Sequence, residues 1–348
     1  MKSWLIYMLI FAGAVAVVAD EPNRIDVTKP NEQAGSSALK WLETQQNEDG
    51  GWTAGDDARA ASPTENTGLV VLAYLGAGQT HREGEYKKTI HAGLKYLVSQ
   101  LKVVEKTGDL RGPRGDMTAH AIAAWALCEA YANTQDKELL APVQLSINFI
   151  EAQQGKETGG WKDDVMADLS VVTSAWQLHA FKSAHMAYLN VKKDTVLGAM
   201  KFLDNVQLEG GSAYPGVTGK REHQATAAGL LSRLMLGWKK SKPEVAKGLA
   251  NVGEGGPREH DVVANYFTHQ LHLTCLGDTW KPWRDAINKQ LHDTQIKDGE
   301  AAGSWSDSDD PAFQRIGAVG QTAFNVMILT TGRRDRPGIK VDEDEFPL

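Results

Sequence analysis

The chain has 348 residues, 42% of them hydrophobic and 23% charged, enough apolar material for one large core or two smaller ones. Its formal net charge is −7 and no basic cluster interrupts that balance, which excludes a nucleic-acid partner held through phosphate contacts. Two cysteines are present, Cys128 and Cys275. Both fall in stretches expected to be buried helix, where a free thiol acts as a small apolar group, so stability has to come from core burial rather than a disulfide.

At the N-terminus, Lys2 precedes an apolar stretch from Trp4 to Val18, and Val17-Val18-Ala19 places small residues before Asp20. These are the three parts of a secretory signal, with cleavage expected after Ala19. The apolar stretch is about 15 residues, short of the roughly 20 needed to span a bilayer. The mature chain is therefore expected to be secreted or periplasmic, with no transmembrane anchor after signal cleavage. Residues 20–33 are polar and read as an extended segment.

From residue 34 onward one pattern recurs. Ala38-Leu39-Lys40-Trp41-Leu42 leads into Gln45-Gln46 and then Gly50-Gly51-Trp52. Gly93-Leu94-Lys95-Tyr96-Leu97 leads into Gln100 and Gly108, and Ile147-Asn148-Phe149-Ile150 into Gln153-Gln154 and Gly159-Gly160-Trp161. Ala199-Met200-Lys201-Phe202-Leu203 leads into Gln207, Gly210-Gly211 and Tyr214, and Leu291 into Gln295 and Gly303-Ser304-Trp305. Leu42, Leu97, Ile150 and Leu203 stand about 53–55 residues apart, and Leu291 follows after about 88, room for one degenerate unit near Val245–Gly253. Six units result, a period that means stacked supersecondary units.

Each unit reads as two helices. The first is amphipathic, as in Tyr86–Leu101 and Thr279–Leu291. The second is apolar nearly all round: Thr67–Leu75, Thr118–Tyr131, Leu169–Phe181, Gln224–Leu236, Val262–Leu276 and Gln321–Leu329. Helices of the second kind are buried, so they form an inner ring inside an outer ring of the first. Small residues such as Ala121, Ala123, Ala124, Ala227, Ala228 and Gly229 allow the inner helices to approach closely. Strand signals are weak throughout. The expected fold is all-α, an α/α toroid of about six helical hairpins over residues 34–332, with an open solenoid as the alternative. Residues 333–348 carry Asp342-Glu343-Asp344-Glu345 and read as an acidic tail.

The aromatic–aliphatic pair followed by Gln and Gly-x-Trp resembles the QW repeat of the terpenoid cyclase and protein prenyltransferase superfamily, over roughly Gly35 to Thr331. Within it, the chain looks most similar to the squalene-cyclase-like repeat proteins of planctomycete-type bacteria, which are exported. The resemblance implies an α/α toroid in which Gln46, Trp52, Gln154, Trp161, Gln295 and Trp305 have a structural task, an indole over an amide linking adjacent units at the rim.

The chemistry of that superfamily finds little support in the residues. Class II cyclases protonate an alkene with the central Asp of a D-x-D-D motif opening an inner helix, and aromatic faces stabilise the carbocation. Asp307-Ser308-Asp309-Asp310 matches by letter, making Asp309 a displaced candidate acid. Pro311 follows, however, and the inner helix is expected only near Gln321, which leaves the aspartates in a solvated turn. Trp125, Trp176, Tyr266 and Phe267 are the inner-helix aromatics available. Neither cysteine has an Asp two residues before it, so zinc of the prenyltransferase type is not expected, nor is any other metal or cofactor. The Gly-Cys-Gly-Glu-Gln run of thioester domains is absent.

Position points instead to the mouth on which the inner-helix N-termini converge. Thr64, Glu65, Asn66, Asp116, Thr118, His120, Asp168, Ser170, Glu222, His223, Gln224, His260, Asp261, Asn265 and Gln321 supply polar groups there. Helix capping accounts for Asp116, Asp168 and Thr64. His223 and His260 with Asp261 nearby could instead form an acid/base pair or metal site. The catalytic candidates are thus Asp116, Asp168, His223, His260 and Asp261. Three functions compete: a non-catalytic binding or scaffold module taking a ligand or protein at the mouth, which is preferred; a terpenoid cyclase; and a carbohydrate-active enzyme with paired carboxylates across the mouth.

Overall fold

The computed structural model describes residues 28–54, 62–113, 115–162 and 169–331. The expected signal segment and acidic tail lie outside them. Among the described residues no helix is long and apolar enough to cross a membrane.

Among the described residues, twelve α-helices alternate between two rings. The outer ones are α1 (Lys29–Thr44), α3 (Lys87–Gln100), α5 (Lys137–Gln153), α7 (Lys193–Val206), α9 (Pro243–Gly253) and α11 (Trp280–Thr294). The inner ones are α2 (Pro63–Gly76), α4 (Met117–Thr134), α6 (Val171–Met186), α8 (His223–Met235), α10 (Val262–Cys275) and α12 (Phe313–Leu329). Residue pattern dictates the ring. In α11 the buried residues are Trp283, Ile287 and Leu291, a single stripe at four-residue spacing. In α2 every residue from Thr64 to Gly76 is buried. Each inner helix packs on the next, α2 on α4, α4 on α6, α6 on α8, α8 on α10 and α10 on α12. α12 then packs back on α2, and α11 reaches α1. The ring closes, so the fold is an α/α toroid and the open solenoid is ruled out.

The ring's centre is filled by rings of another kind. Trp125 of α4, Trp176 of α6, Tyr266 and Phe267 of α10 and Phe324 of α12 converge, each at most 3% exposed. Trp176 sits 5.7 Å from Tyr266 in a stacked pair, 4.5 Å from Phe267 and 5.9 Å from Phe324. Side chains this inaccessible pack on one another instead of lining a space large enough for water.

Loop-to-helix hydrogen bonds hold the hairpins in register. The indole N–H groups of Trp52, Trp161 and Trp305 donate to the carbonyls of Leu42, Ile150 and Leu291, at 2.7, 2.8 and 2.9 Å. Each of these carbonyls lies in the last turn of an outer helix; those of Leu42 and Leu291 also accept from the C-cap N–H of Gln45 and Gln295, and the indole takes the second lone pair. The amides of Gln46, Gln154 and Gln295 do the linking. Each donates once to a glycine carbonyl of its own turn and once to the next outer helix, at Thr89, Thr195 and Ala34. The link between units is therefore an amide-to-carbonyl bond, while the indole serves its own unit. Gln295 to Ala34, at 2.9 Å, joins the last outer helix to the first. Gly303, at φ +97°, lies against α1, where an added Cβ would come 2.5 Å from the Ser37 carbonyl. Gly50 and Gly159 meet Ala92 and Gly198 in the same way, which explains the glycine of the repeat.

The structure departs from the sequence reading at three places. Helix α1 starts at Lys29, inside the stretch read as extended, because Thr28 caps it by accepting from Asn31 N–H and Pro30 fits the first turn. A short hairpin, β1 (Lys102–Val104) with β2 (Thr107–Asp109), stands in the second unit. Helix α12 begins at Phe313, eight residues early, and is interrupted at Gly317 (φ 59°, ψ −170°). Both cysteines are free: Cys128 is buried and Cys275 half-buried.

Replacing Gln295 by alanine removes two buried hydrogen bonds at the ring's seam, and should cost about 1–3 kcal/mol in chemical denaturation. Amide exchange in α1 should accelerate with it. Gln100, whose side-chain amide reaches only Ser99 Oγ at 3.4 Å, is the contrast. Gln100→Ala should stay within about 0.5 kcal/mol of the parent.

Candidate functional site

The inner-helix N-termini are tied to one another, which defines a single mouth. Arg315, in the first turn of α12, pairs with Glu65 of α2 at 2.5 Å and with Asp116, the N-cap of α4, at 3.3 Å. Thr118 of α4 meets Thr173 of α6 at 3.4 Å. Asp310, before α12, accepts from Val262 N–H of α10 at 2.8 Å. His223, opening α8, contacts Thr268 of α10 at 3.1 Å.

Each expected site residue then has a definite place. Asp116 Oδ1 caps α4 by accepting from Ala119 N–H at 2.9 Å, while Oδ2 takes Arg315. Asp261 caps α10 by accepting from Ala264 N–H at 2.8 Å. Asp168 lies outside the described residues. His223 and His260 face different partners. His223 Nδ1 receives the Arg258 guanidinium at 2.8 Å. His260 Nδ1 lies 2.9 Å from Asp307 Oδ2. Arg258 thus occupies His223 Nδ1 and adds to burial in lowering the ability of His223 to take a proton.

The D-x-D-D turn is only partly solvated. Asp310 is 3% exposed, and its two oxygens accept from Val262 and Ala312 N–H, both at 2.8 Å. This corrects the reading of all three aspartates as solvated: one of them fastens α10 to α12. Asp309 is exposed, and its N–H donates to Asp307 Oδ1 at 3.0 Å. Asp307 is clamped through its backbone by Gln321, which accepts from its N–H and donates to its carbonyl. Protonating an alkene needs a carboxylic acid held in a dry site. Exposed Asp309 is not in one.

Burial sets the electrostatics of the α8–α10 side of the mouth. It raises Asp261 to about 6, with the charges of Asp310 and Glu222 adding to the effect, and it raises Glu222 as well. Burial, then Arg258, brings His223 down to about 4. A hydrogen bond to Asp307 raises His260. Along α10, burial lowers His269 to about 3 and His272 to about 4.

The sequence reading missed Arg315, Arg258 and Asp307. Arg315 had a usable signal, being the only basic residue between Trp305 and Gly320. A lone cation beside an acidic turn at a helix start invites a search for carboxylates on neighbouring inner helices.

The geometry defines the class of fold, and comparison with solved structures agrees. The type II terpene cyclase MstE from Scytonema superposes with a TM-score of 0.62 at 13% identity, covering 88% of this chain and 99% of that one. A variant of that cyclase bound to its product, merosterolic acid A, gives 0.62 at 14% identity, with 88% and 98% covered. The α-1,6-mannanase GH76A from Salegentibacter gives 0.60 at 9% identity, with 87% and 99% covered. Identities this low establish the shared α/α toroid and nothing finer. No protein-family model matches the chain, and no curated protein does.

The pKa shifts make stability depend on pH with competing signs. Folded His223, His269 and His272 bind their protons only near pH 3–4, below the ordinary histidine value of 6.5. The unfolded chain therefore binds more protons between those limits, and stability falls as pH drops from about 6.5 towards 4. Asp261 works the other way. Folded, it keeps its proton up to about 6 against 3.8 ordinarily, so its contribution improves as pH falls through 6. Three groups outweigh one, so the melting temperature should fall on acidification. Asp261→Asn keeps a capping side chain but removes the buried charge. It should stabilise by about 1–3 kcal/mol at pH 7, lose that advantage by pH 4, and show a steeper acid-side decline. Thermal melts at four pH values between 4 and 7 test this.

Proposed function

We propose that the chain is an exported, non-catalytic binding module of the squalene-cyclase-like type, whose Gln and Trp positions are a QW-type repeat like that of planctomycete-type exported proteins. Its ligand sits at the mouth of the inner-helix N-termini. The observation that carries the reading is the packed centre of the toroid. Trp125, Trp176, Tyr266, Phe267 and Phe324 occupy the space in which a polyene would have to fold. The mouth adds support. Asp116, Asp261 and Asp310 accept from helix N–H groups, and Glu65 and Asp116 are bound to Arg315. Carboxylates so engaged are poorly placed to exchange protons with a substrate. What the mouth offers is a mixture of donors and acceptors of both signs, suited to a polar ligand.

The terpenoid-cyclase reading keeps the fold likeness to a cyclase and the letters of D-x-D-D. The carbohydrate-active reading keeps the fold likeness to a mannanase and the raised Asp261. The chain without its first 19 residues should therefore leave squalene, geranylgeranyl dihydroxybenzoate and α-1,6-mannotetraose unchanged, as followed by mass spectrometry over a day. The same chain should bind saturably in a glycan and lipid array. Arg315→Ala should weaken that binding at least tenfold. Turnover of any of the three compounds would overturn the proposal.

A further inference from the structure

We propose that His260, Asp307 and Asp309 form a binding site for a divalent transition-metal ion on the rim of the mouth. One donor atom from each residue, an imidazole nitrogen and two carboxylate oxygens, lies within 4.8 Å of the others. They come from two segments of the fold, the turn before α10 and the turn before α12. An ion there would bridge the fifth and sixth units.

Four observations favour an ion over a mere surface ion pair. The first is spacing. His260 Nδ1 and Asp307 Oδ2 are 2.9 Å apart. Two ligands bonded at about 2.0–2.1 Å are separated by about 2.9 Å at right angles and about 3.3 Å in a tetrahedron, so this hydrogen-bonded pair needs only a small rotation to share an ion. The second is a negative charge behind the ring. Glu259 Oε1 lies 3.9 Å from His260 Nε2, too far for a hydrogen bond but near enough to favour a cation at the imidazole. The third is rigidity. Gln321, only 2% exposed, holds Asp307 by both its N–H and its carbonyl. The turn is therefore shaped by the core beneath it, before any ion arrives. The fourth is charge. With Asp307, Asp309 and Glu259 around one imidazole, the local field is negative. Arg258, two residues before His260, directs its guanidinium to His223.

The donor set selects the ion class. Calcium and magnesium take oxygen ligands, whereas one imidazole with two carboxylates suits zinc, manganese or iron(II). Three protein ligands leave positions open for water or an oxygen of a bound ligand. Asp309, which has no buried contact to explain it, gains a role as the third ligand. The inference does not rest on the absence of catalysis argued above. It stands or falls on metal binding alone.

The test uses the tag-free chain from residue 20, stripped with chelator and titrated calorimetrically with zinc chloride. The expected result is one zinc per chain and a raised melting temperature. His260→Ala and Asp309→Asn should each weaken binding at least tenfold and abolish the thermal shift. Both residues are exposed, so metal-free circular dichroism of the variants should match the parent. Calcium at the same concentration should give neither heat nor shift. Absence of zinc binding, or equal affinity in parent and both variants, would overturn the proposal, because an ion held at Cys128, Cys275 or the α10 histidines would be blind to those changes. Equal binding of calcium would overturn the ion class.

Discussion

A side-chain amide with two N–H donors can tie a loop carbonyl to a carbonyl of the neighbouring outer helix, and three joints of this toroid, the closing one included, are made in that way. Every outer helix ends with carbonyls that have no intrahelical donor. Gln46, Gln154 and Gln295 stand just past such ends, and each reaches back into its own turn and forward to the next outer helix. The forward bond sets the angle between neighbouring hairpins. Repeated with a constant angle it produces a ring, and Gln295 reaching Ala34 shows that the angle closes. In the fourth unit the same end is held differently. Arg233, 1% exposed, donates to the Tyr214 hydroxyl at 2.8 Å and to Gln207 Oε1 at 3.3 Å, with Trp238 against its guanidinium. The chemistry changes, yet a donor-rich group still occupies the joint.

Closure has an electrostatic consequence. Inner helices all run the same way, so their N-termini gather at one mouth and their dipoles add there. Glu65, Asp116, Glu222, Asp261 and Asp310 all stand at or beside these N-termini. Much of their charge is used to satisfy exposed N–H groups and the gathered dipoles. Burial, with the like charges of Asp310 and Glu222 adding to it, nevertheless leaves Asp261 at about 6. Arg315 relieves the same crowding on the α2–α4 side. The two halves of the mouth thus solve one problem differently: by an added cation on one side, by a carboxyl that protonates more readily on the other.

The two rings were legible in the sequence because inner and outer helices bury different fractions of their surface, and periodicity reports that directly. The loops were legible where a residue type has a single use. Trp52, Trp161 and Trp305 were assigned a structural task through the resemblance to the QW repeat, and each does bond an outer-helix end, although of its own unit. What stayed hidden depended on residues far apart in the chain. Asp310 read as solvated because its partner, Val262 N–H, is 48 residues away. His223 and His260 read as a pair because nothing local revealed Arg258 on the first and Asp307 on the second. The start of α12 was misplaced because Gly317 breaks it into two pieces, and only the longer one shows helical periodicity. The β1–β2 hairpin was invisible because two three-residue strands, with Val103 and Val104 both exposed, carry no alternation to read.

The toroid hosts a terpene cyclase and a mannanase in other proteins, so the ring itself is indifferent to chemistry. What distinguishes one use from another is which inner positions are left small. Here four of the six inner helices send a large aromatic to the axis, and the rings reach one another. Opening that axis would mean removing several mutually packed side chains at once, each worth roughly 3–5 kcal/mol of core stability. The axis of this toroid is thus occupied by packed side chains, and the turns before α8, α10 and α12 differ from unit to unit. The turn before α12 does both kinds of work: Trp305 and Asp310 make joints of the ring, while Asp309 beside them is exposed and can change without loosening a joint.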